Sequence, residues 1–128
     1  MSKAQRDKGK RAERKVAALL RELYPQAYRT ISQARGAEDC DVGGTEWHVE
    51  VKSGVKPAPL AALRQAERDT DGRPALVVCC EDRRGVTVTL RWEDFARVVS
   101  EGQRAREIAV TLARGSTITV AKEADDAR

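Results

Sequence analysis

The sequence is poor in aromatic residues, in cysteine and in long apolar runs, and each shortage argues against a class of protein. Aromatic residues make up 4% of the 128 positions, which disfavours recognition of single-stranded nucleic acid by base stacking. Three cysteines without Cys-x-x-Cys spacing disfavour zinc ribbons, iron–sulfur sites and disulfide scaffolds. The longest apolar run, residues 75–80, is too short to cross a membrane. The first twenty residues lack the apolar stretch of a signal peptide, so we expect a cytoplasmic protein with reduced thiols.

Charge is what the chain has in excess. Charged residues reach 34% and the net charge is +4, against a charged fraction of about a quarter in an average domain. Residues 1–16 hold seven basic and two acidic side chains, a local surplus larger than the net charge of the whole chain. This basic cluster predicts a polyanionic partner. The alternative is a solvated helix face that only keeps the protein soluble.

The periodicity of apolar residues predicts an α/β protein. An apolar stripe at helical spacing predicts a first helix over residues 3–24, which gives way near Gly9 to a loose basic arm over residues 1–8. The remaining elements follow from alternation, turn residues and helix-start signals: strands at 27–32, 41–42 and 46–52, a helix at 60–69, strands at 75–80 and 86–90, and a helix at 93–99.

The final quarter of the chain is predicted as a β-hairpin that pairs 108–112 with 118–120, followed by a flexible tail over 122–128. The length indicates one domain. Because a helix separates the strands at 46–52 and 75–80, their connection is a crossover. The sequence therefore predicts a mixed β-sheet flanked by helices.

Three ionisable residues are expected to meet at one end of this sheet. Side chains alternate along a strand, so the apolar residues of 46–52 face the core while His48, Glu50 and Lys52 share the other face. With an even number of residues in the preceding turn, Asp41 falls on the face of Glu50. Cross-strand neighbours lie about 5–8 Å apart. The pattern therefore predicts two carboxylates and one ammonium group at the end of a hairpin.

This grouping suits metal-assisted hydrolysis of a phosphodiester. Mg²⁺ is a hard cation that binds one or two carboxylates and keeps waters and substrate phosphate oxygens as its other ligands, and Mn²⁺ is a possible substitute. Asp41 and Glu50 would supply the carboxylates, and Lys52 would orient or deprotonate the attacking water. Two alternatives remain: Glu50 and Lys52 form an ordinary ion pair on a solvated strand, or Asp39 replaces Asp41.

The motif Asp41…Glu50-Val51-Lys52, preceded by a helix that carries Glu13, resembles the PD-(D/E)xK nuclease superfamily. The closest likeness is to archaeal-type Holliday junction resolvases and small phage nucleases, and it covers about residues 8–99. It implies a restriction-endonuclease-like core with αβββαβ order. It also implies that Asp41, Glu50, the Val51 carbonyl and Glu13 hold Mg²⁺ while Lys52 assists the water.

The resemblance carries two further implications and two departures. A glutamine in the second helix of such nucleases often lies near the active site, and Gln65 matches it; an ordinary exposed glutamine is the alternative. Resolvases of this kind act as two-fold dimers on branched DNA, so a homodimer is expected. Cys40 stands where proline often precedes the aspartate, and the interval from Asp41 to Glu50 is compact. Glu13 lies at the flank of the apolar stripe, where it can point to the sheet edge or pair with basic residues of its own helix.

The basic cluster predicts contacts to DNA phosphates, which give affinity without reading sequence. The residues expected to make such contacts are Lys8, Lys10, Arg11, Arg14 and Arg35, and Arg29, Arg83 and Arg84 extend this surface. Three functions follow as hypotheses. The first is a metal-dependent endonuclease for branched DNA, the second a duplex nuclease of restriction or repair type, and the third a non-catalytic DNA-binding module.

Overall fold

The computed structural model describes residues 2–31 and 40–115. The chain divides into two compact units, residues 1–91 and residues 92–128, and each is described by itself. The first unit contains a five-stranded sheet with two helices, and the described part of the second contains one helix. The prediction of a single domain concerns both units and stays a prediction. The expected strand at 118–120 and tail at 122–128 lie outside the described residues.

The described elements alternate between helix and strand. In chain order they are α1 (Lys3–Arg21), β1 (Tyr28–Arg29), β2 (Val42–Gly43), β3 (His48–Gly54), α2 (Pro59–Asp69), β4 (Ala75–Glu81), β5 (Gly85–Thr89) and α3 (Trp92–Ala113). The strand order in the sheet is β1-β2-β3-β4-β5. The β3–β4 pair is parallel and the other pairs are antiparallel. The predicted mixed sheet with flanking helices is confirmed.

Helix α1 begins at a capping box. The Ser2 hydroxyl accepts a hydrogen bond from the Gln5 amide, and the Gln5 side chain accepts one from the Ser2 amide. This box satisfies N–H groups that a helix start otherwise leaves unpaired. The helix therefore runs through Gly9, so the expected loose arm is wrong for residues 3–8. It ends at Arg21, three residues before the predicted end.

The sheet has an apolar core on each face. Helix α1 covers one face, where its buried residues Ala12, Val16, Ala17 and Leu20 meet the strand residues Val42, Trp47, Val49, Val51, Leu76 and Val78. Helix α2 covers the other face, where Ala62, Leu63 and Ala66 meet Ala75, Val77 and Cys79. Alternation along β3 therefore places Val49 and Val51 under α1, as predicted, and turns Glu50 toward the face that carries α2.

The turn between β2 and β3 depends on two glycines. Gly44 has a φ of +79°, and a Cβ there would overlap the backbone carbonyl of Gln26. A Cβ on Gly43 would strike the ring of Tyr28, its partner across β1 and β2. This close approach lets the β2–β3 connection lie against the segment that follows α1.

Helix α3 spans Trp92–Ala113. The short helix predicted at 93–99 is thus the beginning of a longer one, and the hairpin strand predicted at 108–112 is wrong. Arg97 forms ion pairs with Asp94 and Glu101 along the helix, at the spacings that stabilise helices. No helix within residues 2–31 and 40–115 combines the length and the apolar character needed to cross a membrane.

Candidate active site

Asp41 lies at the beginning of β2, held by hydrogen bonds on both sides. Its amide donates to the carbonyl of Val49 on β3 at 2.8 Å, and its carbonyl accepts from the Thr30 amide beside β1 at 3.1 Å. Its carboxylate oxygen Oδ2 accepts a hydrogen bond from the Val51 amide at 2.8 Å. Asp41 therefore directly precedes β2, and its side chain takes the place of a backbone partner for the Val51 amide of β3.

The Val51 carbonyl points to the same edge of β3 as the Asp41 carboxylate. In an extended strand, the N–H and the C=O of one residue face the same neighbouring strand. The Val51 amide reaches Asp41, so the Val51 carbonyl also faces the side on which β2 has ended. This puts a backbone oxygen beside the carboxylate, in the place that the family resemblance implies.

Glu50 lies on β3, the strand that pairs with β2, and its side chain is buried. It is 8% exposed, and its Oε1 lies 3.3 Å from the Lys52 Nζ. The interpretation of Glu50 and Lys52 as an ion pair on a solvated strand is therefore wrong for Glu50. The Lys52 Nζ also lies 3.5 Å from the Gln65 Oε1 of α2, so the half-buried Gln65 contacts the predicted site.

The two carboxylates lie where ionisation is disfavoured. Burial, together with the charge of Glu50, raises the pKa of Asp41 to about 7, although the Val51 amide opposes the shift. Burial also raises the pKa of Glu50, and Lys52 opposes that change. A carboxylic acid in a dry position beside another is destabilised when charged. Such perturbed groups cluster at functional sites.

Glu13 approaches the same site from α1, but it is already paired. Its Oε1 accepts a hydrogen bond from the Arg29 Nε of β1 at 2.8 Å. The negative charge of Glu13 nevertheless raises the pKa values of Asp41 and Glu50. For this oxygen, the alternative of a partner within its own helix gives way to an arginine from the sheet, and the expectation that Glu13 binds Mg²⁺ stays a prediction.

The donor set fits one hard cation. Within the described residues, no three His, Cys, Asp or Glu side chains form a group that could hold a metal ion. Mg²⁺ does not need such a cage, since one or two carboxylates with waters and phosphate oxygens suffice. The oxygens of Asp41, Glu50 and the Val51 carbonyl match that preference. A cation between the two carboxylates would offset the repulsion that raises the Asp41 pKa.

The basic residues predicted to bind DNA fall into three groups. Lys10, Arg11 and Arg14 are exposed on α1. Lys8 is paired with Asp82, which follows β4, so part of its charge is already offset. Arg35 and the alternative metal ligand Asp39 lie outside the described residues.

Two contacts of the site were not predicted from the sequence. The Glu13–Arg29 pair joins a helix to a strand across sixteen positions, and the Lys8–Asp82 pair spans 74 positions. No local spacing signals such contacts, because they depend on how α1 crosses the sheet.

The three cysteines are free thiols, as predicted. Burial raises the pKa values of Cys79 and Cys80, which makes both poor nucleophiles.

Comparison of the chain with family models, with curated protein sequences and with solved structures finds no match.

Proposed function

We propose that this protein is a Mg²⁺-dependent endonuclease that hydrolyses phosphodiester bonds of branched DNA, as Holliday junction resolvases do. The observation that carries the proposal is the site at the beginning of β2. There the Asp41 carboxylate accepts a hydrogen bond from the Val51 amide, burial and then the charge of Glu50 raise the pKa of Asp41, burial raises the pKa of Glu50, and Lys52 contacts Glu50. A partly buried carboxylate beside a buried one costs folding free energy, and a cation bound between them would offset that cost.

The proposed division of labour follows from these positions. Asp41, Glu50 and the Val51 carbonyl would hold the ion, which when bound would polarise the scissile phosphate and lower the pKa of a bound water. Lys52 stands beside Glu50 with 38% of its side chain exposed, so it can reach a water or a phosphate oxygen. Gln65 accepts a hydrogen bond from Lys52 and orients its ammonium group.

The finer fold assignment belongs to the same proposal. One helix, three antiparallel strands, a crossover helix and a parallel strand precede β5. The restriction-endonuclease-like core that the resemblance implies has αβββαβ order, with the aspartate and the glutamate as metal ligands. Asp41 and Glu50 stand at the beginning of β2 and within β3, which supports that assignment.

The choice of DNA rests on charge. Exposed Lys10, Arg11 and Arg14 give α1 a positive surface, and the same helix carries Glu13, whose charge acts on Asp41. Lys and Arg contacts to phosphates provide affinity without sequence specificity, which suits recognition of DNA by shape. A cytoplasmic homodimer that cuts two opposed strands of a junction is the form we propose.

The decisive experiment compares cleavage of a four-way junction, a flap and a linear duplex, with Mg²⁺, with Mn²⁺ and with chelator. We expect nicks near the branch point of the junction, supported by Mg²⁺ or Mn²⁺ and abolished by chelator. Asp41→Asn, Glu50→Gln and Lys52→Gln should each reduce the rate by about a hundredfold or more, since each removes a charged group at the reacting centre.

Two controls match these variants. Glu22→Gln removes an exposed carboxylate at the end of α1, and Lys56→Gln removes an exposed ammonium group shortly after β3; both should cut at the wild-type rate. Equal cleavage of duplex and junction would favour a restriction- or repair-type nuclease. Salt-sensitive junction binding without cleavage would identify a non-catalytic DNA-binding module.

A further inference from the structure

Helix α3 is an amphipathic helix whose apolar side is uncovered. It spans 22 residues, Trp92–Ala113, and none of them is buried. Helices without tertiary contacts are marginally stable in water, and most helices of folded proteins are stabilised by the packing of an apolar face. Apolar side chains that lie together on an exposed surface mark a site of protein–protein contact. The apolar side of α3 therefore indicates a docking surface.

This apolar side has the spacing of a coiled-coil helix. Its residues recur at alternating intervals of three and four positions, and we call them the α3 seam: Phe95, Val98, Gly102, Ala105, Ala109 and Leu112. The five side chains of the seam are all exposed, including 47% of Phe95 and 58% of Leu112. The residues in the middle of the seam are small, so a second helix can approach closely there.

The charges of α3 favour one orientation of a second copy. Residues 92–102 carry three acidic side chains and one basic side chain, a net charge of −2. Residues 103–114, which include Arg114 directly after the helix, carry three basic side chains and one acidic side chain, a net charge of +2. Two copies of α3 attract one another when they run antiparallel, because each acidic half then lies beside a basic half. The helix dipoles favour the same orientation.

The sizes of the seam residues agree with an antiparallel pair. With a two-fold axis midway between residues 102 and 105, the residues that face one another across the pair are Gly102 and Ala105, Val98 and Ala109, and Phe95 and Leu112. The small residues thus meet at the centre, where the helices are closest, and the bulky ones meet at both ends. The seam is therefore complementary to itself in shape as well as in charge.

We propose that α3 binds α3 of a second copy of this chain through the α3 seam, in an antiparallel pair. The same surface is then used by both copies, which is the kind of contact that gives a two-fold dimer. This inference rests on the proposed function in naming a second copy as the partner, and it adds the surface through which the two copies bind.

Sedimentation equilibrium of the full chain, without DNA or metal, tests this surface. At micromolar concentrations the wild-type protein should have twice the 14.1 kDa mass of one chain. Ala105→Glu should weaken the dimer by about a hundredfold or more, because it places a charge at the dry centre of the pair. Glutamate is a good helix former, so α3 itself should remain. Ser100→Glu adds the same charge at an exposed position on the other side of the helix, and it should stay dimeric.

Disulfide cross-linking tests the orientation and does not depend on the folding of Ala105→Glu. A chain with Val98→Cys and a mass-tagged chain with Ala109→Cys are mixed and oxidised. The antiparallel pair should join one chain of each kind, whereas a parallel pair would join only chains of the same kind. Wild-type protein, which has three free cysteines of its own, gives the background.

Three results would overturn the inference: a monomeric wild-type protein, a dimer that survives in folded Ala105→Glu, or cross-links only between chains of the same kind. A monomer would mean that another part of this chain or a different protein covers the α3 seam. Failure of the proposed function is seen separately, because a dimer with the expected cross-links that cuts no DNA would leave the α3 pair standing. Junction cleavage by a wild-type protein that is monomeric would remove only the α3 pair.

Discussion

At the scale of single residues, Asp41 combines a structural contact with an unfavourable charge. Its Oδ2 accepts a hydrogen bond from the Val51 amide, and this bond connects the beginning of β2 to β3. Burial and the neighbouring Glu50 nevertheless raise the pKa of Asp41, so that its ionised form lowers the stability of the folded protein. The hydrogen bond needs only an oxygen, whereas the negative charge adds nothing to the stability of the fold. The charge at this position is therefore best explained by binding.

The first prediction concerns the stability of Asp41→Asn as a function of pH. The pKa of Asp41 is about 7 in the folded protein against an ordinary 3.8, so between these values the folded state binds a proton that the unfolded state does not. Stability contributed by this group falls as pH rises through that window. Without metal, Asp41→Asn should be more stable than wild type at pH 8, on the order of 2 kcal/mol, and no more stable at pH 4.

Urea unfolding of both proteins in chelator at pH 4 and pH 8 measures this difference. Glu22→Gln, which removes an exposed carboxylate from the same unit, should show no such pH-dependent gain. A constant difference between Asp41→Asn and wild type across this pH range would mean that the Asp41 carboxyl titrates normally.

Local alternation was sufficient to predict part of the site. The period of two along β3 places Glu50 and Lys52 on one face, and the short turn brings Asp41 beside Val51. The pairing of Glu13 with Arg29 was not predicted, because it depends on how α1 packs against β1, which no local spacing in the sequence indicates. The proximity of side chains within one hairpin can be predicted from the sequence, whereas contacts between elements that are distant in the chain cannot.

At the scale of elements, the β2–β3 turn depends on Gly44. A Cβ at this position would meet the Gln26 backbone, and the φ of +79° disfavours any L side chain. Gly44→Ala should lower the free energy of unfolding by about 2 kcal/mol or more, since αL strain alone costs about 1–2 kcal/mol. Thermal and urea unfolding would measure it.

Gly85 provides the matched control for this substitution. It also has a positive φ, of +100°, at the first residue of β5, but a Cβ there would meet nothing within 4 Å. Gly85→Ala should therefore cost less than Gly44→Ala, because it adds backbone strain without a collision. An equal loss of unfolding free energy in Gly85→Ala and Gly44→Ala would show that the Gln26 backbone can shift to accommodate the added Cβ.

Helix α3 shows where reading periodicity fails. Ile108, Val110 and Leu112 alternate, which indicates a strand, but the alternation covers only three apolar positions. The ion pairs of Arg97 and the hydrogen bond from the Thr111 hydroxyl to the Glu107 carbonyl are helical contacts. Most residues over 100–107 also favour helix. Helix propensity and neighbouring charges outweigh a short alternating pattern of apolar residues.

Two lysines of α1 should contribute differently to DNA binding. Lys10 is exposed, whereas Lys8 is paired with Asp82. A lysine that contacts a phosphate adds about one unit to the slope of log affinity against log salt. In chelator, which prevents cleavage, Lys10→Gln should reduce this slope by about one unit, and Lys8→Gln should reduce it by clearly less.

Fluorescence anisotropy with a labelled junction from low to moderate salt measures these slopes. Unfolding experiments complete the comparison, because Lys8→Gln also breaks an ion pair that is worth at most about 1 kcal/mol. If both variants leave the slope unchanged, α1 is a solvated face rather than a DNA-binding one.

At the scale of the whole molecule, the site exists because β2 is short. Strand β3 continues to Gly54, while β2 pairs with it only through Val42 and Val49. On the β2 side of β3 the Val51 amide is bonded to the Asp41 carboxylate and the Val51 carbonyl faces the same way, and α2 on the opposite face from α1 brings Gln65 to Lys52. The sheet thus holds the groups proposed for catalysis on a rigid frame, which is what preorganised charge stabilisation requires.

The last prediction links metal binding to the stability of this whole unit. A ligand that binds only the folded state stabilises it by an amount that grows with its concentration over its dissociation constant. Protons compete with the ion for Asp41, whose pKa of about 7 keeps the carboxyl protonated at pH 5.5. Mg²⁺ at about ten times its dissociation constant should therefore raise Tm by roughly 5 °C at pH 8, and by much less at pH 5.5.

Asp41→Asn should lose the shift at both pH values, and NaCl of equal ionic strength should not reproduce it. A Mg²⁺ shift that is independent of pH, or that survives Asp41→Asn, would place the ion somewhere other than between Asp41 and Glu50.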